Sequence, residues 1–219
     1  MIVVLLGPPG AGKGTQGERV AAGLGVPKIS TGDVIRDAMR AGTPLGREAK
    51  AYYDRGDLVP DAVIMGIIRE VLAAPEQARG VVLDGVVRTV PQAEGLAQVL
   101  QGLNRVLDHV LLFSISDDVL VARLSARTVC NACQTPFTGR SAGETHAGCA
   151  KVPPGTLMRR KDDEPDAVRN RLRVYEAQTA PVIAWYRTHG ARVAEIDAVG
   201  SVDDVGRRTL AALGLSGTP

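Results

Sequence analysis

The chain has 219 residues, 45% apolar and 23% charged, with a formal net charge of +2. That length suits one α/β domain with insertions and is short for two full domains. A charge so close to zero gives no ground for a nucleic-acid or membrane-surface partner, and no run of roughly 18 apolar residues exists to span a bilayer.

The N-terminal run 2–6 is apolar throughout and reads as a buried strand; it lacks the basic leader of a secretory signal. A glycine-rich segment, 7–15, separates it from a helical period over 14–24. Further apolar runs at 26–29, 81–83, 110–113 and 193–196 predict strands. Helical periods at 61–72, 91–100, 119–127, 166–186 and 202–213 predict the helices between them. Strands alternating with helices predict βαβ units and a parallel sheet covered on both faces. Two stretches leave that rhythm. Residues 31–60 are helical but off the strand alternation. Residues 129–158, rich in Gly, Pro, Thr and Cys, have no helical period and read as a small inserted module. Residues 216–219 read as a frayed tail.

The segment Gly7-Pro8-Pro9-Gly10-Ala11-Gly12-Lys13-Gly14-Thr15 carries the strongest chemical signal. Its glycines let successive backbone N–H groups point inward at an anion, and the helix behind them adds partial positive charge. Lys13 is placed to reach β- and γ-phosphates, and Thr15 to offer a hydroxyl near Mg²⁺. The usual P-loop has Ser or Thr directly after the lysine, whereas Gly14 intervenes here. A glycine-rich turn without a ligand is the bland alternative. Arginine outnumbers lysine 21 to 5. Its planar fork suits phosphate, although a general bias toward arginine accounts for most of the excess.

All three cysteines fall within twenty residues of one another. Cys130-x2-Cys133 followed by His146-x2-Cys149 offers four soft or borderline ligands in two close pairs, the set zinc takes in a tetrahedral structural site. An odd cysteine count argues against a disulfide framework. Buried free thiols beside a solvated histidine are the alternative.

Taken with Ile29-Ser30-Thr31-Gly32-Asp33, Leu83-Asp84-Gly85-Val86-Val87-Arg88-Thr89-Val90-Pro91-Gln92, Arg159-Arg160-Lys161-Asp162-Asp163 and Arg169-Asn170-Arg171-Leu172, the loop resembles the adenylate kinase family from Met1 to about Leu213. The resemblance implies a P-loop nucleoside monophosphate kinase: a five-stranded parallel sheet flanked by helices, with an AMP-binding insertion and a lid. It puts the core at 1–29, 60–126 and 165–219, the AMP-binding insertion at 30–59 and the zinc-bearing lid at 127–164. The implied reaction is reversible, direct in-line transfer, ATP plus AMP to two ADP, by a cytoplasmic monomer that serves adenine nucleotide balance.

Carried over position by position, the resemblance implies ATP contacts at Gly10, Ala11, Gly12, Lys13, Gly14, Thr15, Arg123, Arg127, Pro136, Phe137 and Gly200. AMP contacts fall at Thr31, Arg36, Asp57, Leu58, Val59, Gly85, Val86, Val87, Arg88, Gln92, Arg160 and Arg171. Lys13, Arg88, Arg123, Arg127, Arg160 and Arg171 supply positive charge for transfer; Asp84, with Asp33, holds the water shell of Mg²⁺. Arg123 and Arg127, four apart, are expected on one helix face. Gln92, with a donor and an acceptor in one amide, suits a base reader. Singly, each has a plainer reading: Asp33, Asp162 and Asp163 as first-turn acids of helices, Gln92 as a solvated helix residue, Arg123 as an ion-pair partner. The family's zinc-bearing members place a second Cys-containing pair after a longer gap, so here the resemblance leaves His146 as the fourth ligand.

One departure stands out. The family usually reads Asp-Gly-Phe-Pro-Arg where this chain has Asp84-Gly85-Val86-Val87-Arg88. The usual proline bond is cis, which costs about 3 kcal/mol without proline, so a trans Val86–Val87 bond and an altered approach to AMP are expected. Competing functions are a kinase for UMP, CMP or GMP, a nucleotide-binding switch without turnover, and a nucleic-acid-binding zinc ribbon. Near-neutral charge and the lack of aromatics among basic residues in the module count against the last.

Overall fold

Ile2–Leu6 forms the first strand, β1, and all five of its residues are buried. A parallel strand covered on both faces needs no polar alternation. The structure, a computed structural model, describes residues 1–55, 59–133, 135–149, 153–159, 163 and 165–215, leaving aside the side chains of Asp33, Arg36, residues 53–55 and Pro165.

After β1 come α1 (Lys13–Leu24), β2 (Lys28–Ser30), α2 (Thr31–Ala41), α3 (Pro44–Arg55), α4 (Asp61–Ala73), a short 3₁₀ turn, β3 (Val81–Asp84), α5 (Val90–Gly102), β4 (His109–Ser114) and α6 (Asp117–Ser125). The small strands β5 (Arg127–Cys130), β6 (Pro136–Thr138) and β7 (Leu157–Met158) follow. Then come α7 (Pro165–Val174), a π turn (Tyr175–Thr179), α8 (Ala180–Thr188), β8 (Val193–Asp197) and α9 (Val202–Ala211).

The main sheet has five strands in the order β2-β3-β1-β4-β8, all pairs parallel. Successive side chains of a strand point to opposite faces. Val4 and Leu6 accordingly join Leu83, Leu112, Ile67 and Leu96 in one core, while Val3 and Leu5 join Val82, Phe113, Val20 and Leu120 in the other. Because β1 pairs with β3 on one side and β4 on the other, the chain leaving β1 emerges at a topological switch point, where open α/β sheets bind their ligands. The inserted module is a separate three-stranded antiparallel sheet, β6-β5-β7. Among the described residues no helix is long and apolar enough to cross a membrane.

Three boundaries differ from expectation, each for a local reason. The strand expected at 26–29 is β2 at 28–30, because the Val26 N–H closes α1 on Ala21 O at 3.0 Å and Pro27 has none. The helix expected to reach residue 127 stops at Ser125. Arg127 instead opens β5, where Arg127, Thr128 and Val129 pair with Thr138, Phe137 and Pro136; β-branched residues with a strand partner outweigh a weak helical period. The shared helix face for Arg123 and Arg127 is therefore wrong. Finally, the period over 166–186 is interrupted by the π turn. Pro181 has no N–H to give the preceding turn, and a π bulge absorbs the mismatch.

Candidate functional site

The glycine-rich segment bends as its composition predicts. Gly10 and Gly12 have φ of 86° and 89°, a left-handed geometry that glycine adopts without penalty, and α1 starts directly after Gly12. The Lys13 side chain folds back over this loop, its Nζ donating to Gly7 O at 2.6 Å and Pro8 O at 2.8 Å. Burial, opposed by Asp84 and reinforced by Arg88, Arg171 and Arg127, holds its ammonium down at about 8. Removing a charged amine from water favours its neutral form, and nearby cations do the same.

These groups share one cleft of about 2130 Å³ at the carboxyl ends of the main strands. Of the residues expected to contact nucleotide, Gly10 through Thr15, Thr31, Gly85, Val87, Arg88, Arg123, Arg127, Pro136, Phe137, Arg171 and Gly200 line it. Asp84, the last residue of β3, sits beside the first turn of α1: a methyl on Gly14 would lie 3.5 Å from its Oδ2. A carboxylate there, in the same cleft as Thr15, is a donor that suits a hydrated Mg²⁺.

Not every expected residue is in the lining. Val86 is buried, 1% exposed, and Val59 packs against the same core. Gln92 is engaged on both ends of its amide: Oε1 accepts from Arg88 N at 2.8 Å, and Nε2 donates to Asp61 Oδ1 at 2.7 Å. Asp57, Leu58, Arg160 and Asp162, with the side chains of Asp33 and Arg36, lie outside the described residues.

The loop carrying Arg88 is held from several elements. Thr31 Oγ1 donates to Gly85 O at 2.7 Å, and Thr179 Oγ1, in the π turn, donates to Arg88 O at 2.9 Å. Asp163, its side chain 4% exposed, gathers two of the expected arginines. Arg127 Nε donates to its Oδ2 at 2.8 Å, Arg127 Nη2 grips its Oδ1, and Arg171 Nη1 reaches that Oδ1 at 3.3 Å. Sequence placed Asp163 in a segment of the family resemblance and gave it no role beyond a helix-start acid, and it gave no signal for Thr179; a contact between distant segments has no local pattern.

The antiparallel module brings Cys130, Cys133, His146 and Cys149 together, their ligand atoms all within 4.8 Å of one another. Cys130 Sγ and Cys149 Sγ are 3.7 Å apart. Zn–S bonds of about 2.3 Å set tetrahedral edges of about 3.8 Å, so this donor set could bind zinc. Cys133 Sγ lies 3.3 Å from His146 Nδ1, and the Thr135 hydroxyl pulls the Cys133 thiol down to about 6. Gly155 packs so close that a Cβ would fall 2.4 Å from Cys130 Sγ, and its carbonyl accepts from His146 N at 2.8 Å. A metal held by all four would have no open position, as in structural zinc sites.

A P-loop at the switch point of a parallel sheet, sharing its cleft with arginines from α6, β5 and α7, defines a nucleoside monophosphate kinase. Comparison with known proteins narrows the class. The family model described as adenylate kinase matches residues 5–191, and the chain belongs to the adenylate kinase family. It is 62% identical to an adenylate kinase of Gemmatimonas aurantiaca over 218 residues, which cover 99% of this chain and all of that relative. Adenylate kinases of Geobacter sp. and Salinispora tropica are each 44% identical over 213 residues, covering 97% of this chain and 99% and 98% of theirs.

Proposed function

We propose that the chain transfers the γ-phosphoryl group of ATP to AMP, reversibly and in line, giving two ADP. The observation that carries this reading is the meeting in one cleft of Lys13, Asp84, Arg88, Arg123, Arg127 and Arg171, drawn from five separate segments. An AMP phosphate oxygen attacks the γ-phosphorus, the bond to the β,γ-bridging oxygen breaks, and the electron pair leaves on the β-phosphate of the departing ADP. No covalent enzyme intermediate is needed, because the attacking oxygen is already anionic. What the protein contributes is alignment of two polyanions and relief of their repulsion.

The residue roles rest on the family resemblance, supported for the described residues that line the cleft by their place in it. The loop 7–15 with Lys13 holds the β- and γ-phosphates, and Arg123, Arg127, Pro136, Phe137 and Gly200 take the rest of ATP. Arg88 holds the AMP phosphate, with Thr31, Gly85 and Val87 beside it; Arg36, residues 57–59, Gln92, Arg160 and Arg171 complete the acceptor side. For Gln92 to read adenine, its amide must leave Arg88 N and Asp61. Asp84 and Thr15 hold the water shell of Mg²⁺, with Asp33. Held there, the ion would supply positive charge that offsets the charge of the phosphates. Residues 127–164 act as the lid and 30–59 as the acceptor insertion, each moving against the core to exclude water before transfer.

Zinc is the metal we assign to Cys130, Cys133, His146 and Cys149, as a clamp on the lid. One chain supplies every group named, which supports a monomer. Three free thiols suit the reducing cytoplasm. A steady-state assay with ATP fixed and AMP, UMP, CMP and GMP as acceptors tests the reading: AMP is the preferred acceptor, and equal use of a pyrimidine nucleotide would refute it.

A further inference from the structure

Residues 197–202 join β8 to α9 and form one wall of the cleft through Ala198, Gly200, Ser201 and Val202. Pairing with β4 ends at the start of this wall, where Asp197 partners Ser114 and Ala198 N donates to Ser114 O at 2.9 Å. Beyond that point Asp197 Oδ1 accepts from Val199 N at 2.9 Å, Ser201 caps α9 through Asp204, and two side chains from helices hold the backbone carbonyls. Arg208, on α9, donates from Nη1 to Asp197 O and from Nη2 to Val199 O at 2.6 Å. The same guanidinium pairs with the Asp197 carboxylate at 2.8 Å. From α1, Gln16, 3% exposed, donates Nε2 to Val202 O at 2.8 Å.

The carbonyls of Asp197, Val199 and Val202 thus turn toward Arg208 and Gln16. Gly200, at φ 114°, carries a further carbonyl of this wall. Its oxygen accepts from Arg123 Nη2 at 3.3 Å, and both residues line the cleft. Arg208 packs directly behind it: a Cβ at Gly200 would lie 3.1 Å from Arg208 Nη2.

We infer that Arg208 is a positioning residue for donor-base selectivity, holding the 197–202 wall so that the Gly200 carbonyl oxygen faces the base of the donor nucleotide. The inference rests on the reading of this cleft as the donor site given above. A fixed acceptor matches an exocyclic amine and repels an oxo group; adenine carries the amine at the position where guanine carries the oxo. Arg123 occupies that acceptor until a base amine replaces it. Two carbonyls and a carboxylate held by one planar fork are beyond a lysine's single point charge, so charge alone does not preserve the wall.

The test is kcat/KM for ATP and for GTP, with AMP fixed, in the wild-type enzyme and in Arg208→Lys and Arg208→Ala. Both variants lower the ATP-to-GTP ratio at least about tenfold, the scale on which a misplaced acceptor blurs discrimination, and leave KM for AMP within about twofold. A merely structural role would lower the melting temperature with the ratio unmoved. Should Arg208→Ala fail to fold, Arg208→Lys decides alone. An unchanged ratio, or a wild-type enzyme indifferent between the two donors, overturns the inference and leaves ATP-to-AMP transfer standing. A wild-type enzyme that makes no ADP from ATP and AMP overturns the donor-site reading itself.

Discussion

Arg127 and Asp163, 36 positions apart, meet in a two-point fork, Nε on Oδ2 at 2.8 Å and Nη2 on Oδ1. The carboxylate is buried and also reaches Arg171. Two guanidiniums side by side repel, and Asp163 offsets that repulsion while aiming both at the cleft. Asp163→Asn keeps the shape and removes the charge. It should lower kcat at least ~10-fold with smaller changes in either KM, since the arginines matter most when charge develops in transfer. Steady-state kinetics with each nucleotide varied checks this; kcat within about twofold of wild type would show that the fork is only structural.

Lys13 is the one cation rooted in the phosphate loop itself. Lys13→Met should reduce kcat by ~100-fold or more, the loss associated with a transition-state charge contact. Near-normal turnover in this variant would remove the loop from the mechanism.

The same lysine predicts a pH dependence. Burial and three arginines hold its pKa at about 8 in the nucleotide-free protein, so it loses its proton as pH rises through that value. A bound polyphosphate favours the protonated form and raises the pKa. Hence kcat/KM for MgATP, which reports the free enzyme, should fall above pH of about 8, while kcat stays level to higher pH. Parallel decline of the two, or a flat kcat/KM to pH of about 10, would contradict the assignment to Lys13.

Much of this architecture was legible because it rests on local pattern. The run Ile2–Leu6, the bend at Gly10 and Gly12, and the helix opening at Lys13 are neighbours in sequence, and neighbours set strand, turn and helix. The two pairs Cys130/Cys133 and His146/Cys149 were legible for the same reason. Arg127 was misplaced because its conformation is decided by a strand partner, Thr138, rather than by its own neighbours. Gln92 was recognised as a two-ended amide, but its partners Asp61 and Arg88 emerge only once α4 and α5 pack together. Thr179 and Arg208 leave no local signal because they bond backbone carbonyls, which carry no sequence identity at all.

The metal cluster should govern stability rather than chemistry. If Cys130, Cys133, His146 and Cys149 hold a metal, chelation or Cys133→Ala removes a cross-link between two loop pairs of the antiparallel module and should lower the melting temperature by several degrees, leaving measurable kcat in the cold. Calorimetric melts with metal quantified before and after chelation check it. An unchanged melt in metal-free protein would mean the four side chains do not hold a structural ion.

The central claim, transfer between two nucleotides within one cleft, is tested most directly by following ADP formation from ATP in the presence and absence of AMP by phosphorus NMR. The account predicts rapid conversion to two ADP only when AMP is present, with inorganic phosphate staying near the uncatalysed background. ATP hydrolysis that proceeds without AMP, or AMP that remains untouched while ATP is consumed, would contradict it.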